Sequence, residues 1–225
     1  MALAAAQSHG SRPSSSPPEE PAPCCVRPNA GDSIAASAAK TEGNSSARSP
    51  WLEPGERGSA GALNLRVTDQ DGMPLNLDDF RGRPVALSFV YTRCTNANKC
   101  PLVAARMADL QTRLEREGLA SRVQLALVTY DPDYDTPDRL KKYAMAHGLQ
   151  SASQVRMLRP DKEAKEPFFD KLEVAVNYDG NDVNIHGLQL FLFDSQGRFV
   201  RCYRSVIWDN ADVLADLKRL ADEAS

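Results

Sequence analysis

A mixed-sheet α/β domain is the fold class that the sequence predicts, and three features carry the prediction. Strand-length apolar runs alternate with stretches of helical spacing through the first half of the patterned region, which requires crossover connections between parallel strands. Two late strand-like runs are separated by the tight turn Asp194-Ser-Gln-Gly197, which requires an antiparallel hairpin in the same sheet. No strand is followed by a GxGxxG or GxxxxGK loop, so an ordinary doubly wound nucleotide-binding fold fits poorly.

The chain has 225 residues, enough for one full core plus tails. Its net charge of −3, without any Lys/Arg-rich run, argues against a nucleic-acid partner. No stretch approaches the roughly 20 apolar residues of a membrane helix, and the start Met1-Ala-Leu-Ala-Ala-Ala-Gln7 lacks a basic region before it. The sequence therefore names no compartment, and it does not fix an oligomeric state.

Residues 8–58 are rich in Ser, Pro, Ala, Gly and Glu and show no regular period. Such a segment does not bury enough apolar surface to offset about 1–2 kcal/mol of backbone entropy per residue. Residues 1–59 are accordingly read as a disordered low-complexity tail or linker, and 60–225 as one domain. Trp51 and Leu52 have two readings: packing on the domain edge, or isolated exposed apolar residues.

The elements then follow in order. Leu63, Leu65 and Val67 alternate, Asp71-Gly72 turns, and Pro74-Leu-Asn-Leu77 alternates again, giving a β-hairpin. After the turn Arg81-Gly82-Arg83-Pro84, residues 85–91 (VALSFVY) form a nearly continuous apolar run suited to a central strand covered on both faces. A loop over 92–100 leads to Pro101, which fits the first turn of a helix carrying Leu102, Ala105, Met107, Leu110 and Leu114. Residues 123–128 form the next strand. Asp135-Thr136-Pro137 opens a helix that Gly148 ends. A short strand at 155–158 and a helix at 164–172 come next. The late strands are 187–193 and 199–203, and an amphipathic helix over 211–224 closes the chain. Crossovers early and a hairpin late together fit a thioredoxin-like fold: a mixed central sheet flanked by helices, preceded by an N-terminal β-hairpin.

The chemistry gathers where the first central strand ends. Cys94 stands at the strand exit and Cys100 at the helix start, beside unpaired N–H groups and the positive end of the helix dipole, which favour a thiolate. Arg93 and Lys99 add positive charge. Two thiolates so placed bind a soft ion such as Cu(I) or Zn(II), or form a reversible disulfide, or form a purely structural one; the spacing leaves all three open. His186 precedes the late strand that neighbours the first central strand in such a sheet, so it is able to approach. The trio Cys94, Cys100 and His186 suits copper, with sulfur holding Cu(I) and the imidazole helping to hold Cu(II).

The remaining candidates read as bland. His9 and the pair Cys24-Cys25 lie in the tail, His147 stands at a helix C-terminus, and Cys202 alternates with Val200 in a strand. Asp131, Asp133 and Asp135 surround Pro132 and read as turn and cap residues, and Asp179, Asp182 and Asn184 as shaping the loop before His186.

Taken together these segments resemble the SCO/SenC family of thioredoxin-fold proteins of cytochrome oxidase copper-centre assembly. The similarity spans about residues 62–222. It runs through Asp71-Gly72, Leu77-Asp-Asp-Phe-Arg-Gly82, VALSFVYTRC to Cys94, Cys100-Pro101, Thr129-Tyr-Asp-Pro-Asp-Tyr-Asp-Thr-Pro137, His186-Gly-Leu-Gln-Leu-Phe-Leu-Phe-Asp194 and Gly197-Arg-Phe-Val200, in the family's order. The resemblance implies that Cys94, Cys100 and His186 are copper ligands, and that Cys94 and Cys100 are the redox pair if thiol exchange occurs. It implies Cu(I), and Cu(II) as well, as the bound ion. It also implies copper delivery to a partner such as a cytochrome oxidase subunit, or reduction of that partner's cysteines to thiols, in a periplasmic or other extracytoplasmic setting. The alternatives are a thiol–disulfide oxidoreductase that needs no metal and a non-enzymatic interaction domain with a structural disulfide. Two features depart from the family pattern. Five residues, Thr95 to Lys99, separate the cysteines where three are usual, and Ile185 stands where an Asp commonly precedes the histidine.

Overall fold

The computed structural model describes residues 48–58, 65–150, 154–179 and 182–224. The predicted tail up to residue 47, with His9, Cys24 and Cys25, lies outside them, as does Leu63.

Among the described residues, nine strands and four α-helices follow one another as β1 (Arg66–Asp69), β2 (Pro74–Asn76), β3 (Val85–Val90), α1 (Cys100–Arg116), β4 (Gln124–Thr129), α2 (Pro137–Ala146), β5 (Val155–Pro160), α3 (Lys162–Lys171), β6 (Val176–Asp179), β7 (Asp182–His186), β8 (Leu190–Phe193), β9 (Phe199–Tyr203) and α4 (Asn210–Glu223). A short 3-10 helix, Leu77–Phe80, joins β2 to the turn before β3. The main sheet has the order β2-β1-β5-β4-β3-β8-β9. β3, β4 and β5 run parallel, and β8 and β9 return antiparallel beside β3. The stretch β4-β3-β8-β9 is the thioredoxin-like core that the sequence predicts.

This topology fixes which face each helix covers. Two right-handed crossovers stepping the same way, from β3 to β4 to β5, put α1 and α2 on one face. Alternation along β3 serves both sides: Ala86 and Val90 share a core with residues of α1, α2 and α4, while Val85, Leu87 and Phe89 share one with residues of α3 and the 3-10 helix. All six residues of β3 are buried, as are all six of β4, which explains runs with no polar face. Phe89 is the centre of the second core, with Tyr130, Phe169 and Phe191 rings at 5.4, 5.4 and 6.0 Å.

The helix ends use the signals that the sequence offers. Pro101 sits in the first turn of α1, Thr136 caps α2 by accepting from the Arg139 N–H at 3.4 Å, and Gly148 takes the left-handed φ of 81° that ends it.

Three local findings differ from the sequence reading. The strand predicted over 187–193 begins only at Leu190. The loop predicted before His186 is instead a second, two-stranded sheet formed by β6 and β7, so His186 ends a strand. Residues 48–58, assigned by composition to the tail, run along β9: Ser49 N–H donates to the Cys202 carbonyl at 2.7 Å and Leu52 N–H to that of Val200 at 3.1 Å. Of the two readings of Leu52, packing is the one observed. Arg57 anchors the far end of this strap. Its buried guanidinium donates to Asp194 at 3.2 Å and to Glu223 at 2.6 Å. Trp51 lies under the guanidinium groups of Arg57, Arg201 and Arg219, at 5.6, 5.3 and 4.3 Å.

Candidate metal and thiol site

The site forms where β3 gives out. Beyond Val90 the chain turns through Tyr91, Thr92 and Arg93, and Cys94 N–H donates back to the Tyr91 carbonyl at 3.2 Å. The five intervening residues are taken up by a second turn on Asn96, whose side chain accepts from the Asn98 N–H at 3.0 Å and whose carbonyl accepts from Lys99 N–H at 3.0 Å. That bulge returns the chain so that Cys100 opens α1 directly beside Cys94. The longer spacing is thus absorbed within the loop without moving either thiol out of the site.

From the other side, β7 delivers His186. Its Nε2 lies 3.2 Å from Cys100 Sγ. Ligand atoms of Cys94, Cys100 and His186 all lie within 4.8 Å of one another, so this is a cluster capable of ligating a metal. His186 Nδ1 is buried and has no hydrogen-bond partner among the described residues, so the ring is held by contact on its faces. Tyr91 and Tyr130 stand edge-on to it, with centroids at 5.6 and 5.2 Å. The same two tyrosines tie down the chain on either side of the histidine. Tyr91 Oη donates to the Val183 carbonyl at 3.1 Å and Tyr130 Oη to that of Gly187. Ser88 Oγ, from the middle of β3, adds a bond to the Gln189 carbonyl at 2.7 Å.

The two thiols are chemically unequal. A hydrogen bond from the Cys100 thiol, assisted by backbone N–H groups and the charge of Lys99, lowers Cys94 to about 6 against the opposing effect of burial. Cys100 is fully buried and is pushed the other way: donating to Cys94 and lying out of solvent, it keeps its proton. Burial, with Lys99 adding to it, lowers His186 to about 4. At neutral pH the trio is therefore one thiolate, one thiol and one neutral imidazole. Two of the three are already in ligand form, and the third loses its proton when a metal replaces it.

Other candidates fall elsewhere. His147 follows α2 and packs on Tyr143, ring centroids 4.2 Å apart, and is not part of the trio. Cys202 is buried in the core on the opposite face of the sheet from Cys94 and Cys100. Lys99 acts electrostatically on the site as expected, while Arg93 turns aside to Asp131 at 2.6 Å. Asp133 pairs with Lys162 at 3.3 Å on the surface. Arg93, Asp131, Tyr134, Lys165 and Tyr178 line a cleft of about 360 Å³ beside the site. Sequence reasoning missed Tyr91 and Tyr130 as the residues that hold His186. It counted the first as the end of an apolar run, and nothing local marks the second.

The SCO1/SenC family model matches residues 58–222. A SCO1/SenC family lipoprotein from Bacillus anthracis str. Ames is 30% identical, covers 71% of this chain and 96% of its own, and superposes with a TM-score of 0.61. BsSco, described as a member of the Sco family of cytochrome c oxidase assembly proteins with a disulfide switch, is 27% identical over 70% of this chain and 91% of its own, TM-score 0.61. Bradyrhizobium japonicum ScoI, solved with copper bound, is 22% identical over 72% and 99%, TM-score 0.60; at that identity the likeness is one of fold.

Proposed function

Since this chain belongs to the SCO1/SenC family, we propose that it binds copper through Cys94, Cys100 and His186 and passes it to a copper-receiving protein. The convergence of two sulfurs and one imidazole within 4.8 Å is the observation that carries the reading. Thiolates select soft Cu(I) over harder ions, and a neutral imidazole extends the set to Cu(II). In this reading Cys94 and His186 offer lone pairs at once, and Cys100 completes the set on deprotonation. The partner is a copper-receiving protein of cytochrome c oxidase assembly, the process for which the Sco family of BsSco is named, and the protein works outside the cytoplasm. No helix among the described residues is long and apolar enough to cross a membrane.

Anaerobic titration of the reduced protein against a competing Cu(I) chelator tests this. One Cu(I) per chain is expected, with tight binding lost on Cys94→Ser together with Cys100→Ser. Equal affinity in that double variant would reject the reading.

The unequal thiols favour a second reading, thiol–disulfide exchange. The Cys94 thiolate attacks a partner disulfide, forming a mixed disulfide and releasing one partner thiolate. Cys100 then gives up its proton and attacks Cys94 Sγ, closing Cys94–Cys100 and releasing the second partner sulfur. The partner is reduced by two electrons and this chain is oxidised by two. Cys100→Ser should trap the mixed disulfide, and Cys94→Ser should not.

A further inference from the structure

Asp135 is a buried ionisable group that neither reading above employs. It is wholly inaccessible to solvent. No cation pairs with it among the described contacts; its carboxylate instead gathers Thr92 and Thr129. Both threonine hydroxyls donate to it, one to each oxygen, and Thr92 N–H adds a third bond at 3.1 Å. Burial raises its pKa, so holding it there as an acceptor has a cost that the hydrogen bonds must offset.

The placement of these partners gives that cost a use. Thr92 lies in the turn that begins at Tyr91 and delivers Cys94, while Thr129 is the last residue of β4. Asp135 thus ties the cysteine turn to the end of the neighbouring strand. The loop before α2 closes the clasp: Asp135 N–H donates to the Asp131 carbonyl at 2.8 Å, Asp131 N–H to Thr129 Oγ1 at 3.0 Å, and Asp131 itself holds Arg93. Both residues that precede Cys94 are therefore fixed from one loop. The turn from Tyr91 to Cys94 is short, and a thiol that must meet both Cys100 and His186 tolerates little drift.

The geometry points to Asp135 as a positioning residue for Cys94: through Thr92 and Thr129 it sets where the turn presents the thiol to Cys100 and His186. The inference rests on Cys94 being a working thiol of the site. It differs from helix capping, which Thr136 performs at this helix.

The experiment compares Asp135→Asn, Thr92→Val, their double variant and Val213→Ala, the last being a control that loosens α4 in the same core. Cu(I) affinity is measured by chelator competition, and alkylation of Cys94 by a neutral reagent, both under conditions where every variant is folded. Loss of a partner that orients a ligand lowers metal affinity by about 10- to 100-fold. That loss is expected for Asp135→Asn and Thr92→Val, with the double variant no worse than Asp135→Asn alone, and Val213→Ala near wild type. Released from its clasp, Cys94 should also be alkylated several-fold faster in the first two variants. Wild-type affinity and alkylation in both would overturn the inference, as would an equal effect in Val213→Ala. If the wild type binds no Cu(I), the copper reading fails by itself, and the alkylation rates still decide the role of Asp135.

Discussion

The pH dependence of Cys94 reactivity follows directly from its bond to Cys100. The perturbation is pH itself, applied to reduced, metal-free protein, and the probe is a small aromatic disulfide whose released thiolate is followed optically. Cys94 sits at about 6 and an ordinary thiol at 9.0. Half of Cys94 is thiolate at pH 6, about five hundred times the fraction for the ordinary thiol. A less basic thiolate is also a weaker nucleophile, by about twentyfold over three units at a Brønsted slope near 0.45. Together these make Cys94 about twentyfold faster than an ordinary thiol at pH 6, about fourfold faster at pH 7 and about tenfold slower at pH 9. Restricted access of the probe to Cys94 scales the whole profile down without moving its midpoint. Comparison with a free alkyl thiol should therefore show a rate that levels off just above pH 6 while the reference keeps climbing. Cys100→Ala removes the largest cause of the shift, so its midpoint should rise. A wild-type profile still rising steeply at pH 8, or Cys100 reacting first, would refute the reasoning.

Three further outcomes are expected. Arg57→Met removes the cation between Asp194 and Glu223; because Asp194 keeps Arg198 at 2.7 Å, the cost should be about 2–3 kcal/mol by urea unfolding, less than for a fully abandoned buried charge, and an unchanged midpoint would show that the strap does not matter. Tyr130→Phe deletes the hydroxyl that holds the Gly187 carbonyl, which should cost about 1–2 kcal/mol and weaken Cu(I) binding, while a stable variant with full affinity would mean that His186 needs no such support. Burial lowers His186 from 6.5 to about 4, so the folded state resists a proton that the unfolded chain accepts. The resulting stability is complete above pH 6.5 and is lost as pH falls toward 4. The difference in unfolding free energy between wild type and His186→Ala should shrink or grow only within that window, and a difference independent of pH between 4 and 6.5 would contradict it.

How much of this was legible depended on how local each signal is. The central strands were, because β3 and β4 are buried on both faces and leave uninterrupted apolar runs. The trio was also legible, since strand exit, helix start and the segment that leads into a late strand meet in this sheet, ordered β4-β3-β8-β9. The β6–β7 hairpin was not: Asn177, Asp179, Asp182 and Asn184 interrupt it, so a real alternation of Val176, Tyr178 and Val183 reads as a polar loop. The strap at 48–58 escaped for a related reason. It is held by Leu52, Arg57 and backbone bonds to β9, and no period marks single anchors in a Pro- and Gly-rich background. Asp135 reads as one more turn acid after Asp131 and Asp133; only burial separates it from Asp133, which pairs on the surface.

Whether two sulfurs and one imidazole share an ion is read directly by X-ray absorption at the copper edge of the Cu(I)-loaded protein. Two sulfur scatterers and one nitrogen from imidazole are expected, with the nitrogen lost in His186→Ala. A shell of nitrogen and oxygen alone, or a spectrum unchanged by substituting both Cys94 and Cys100, would contradict such sharing.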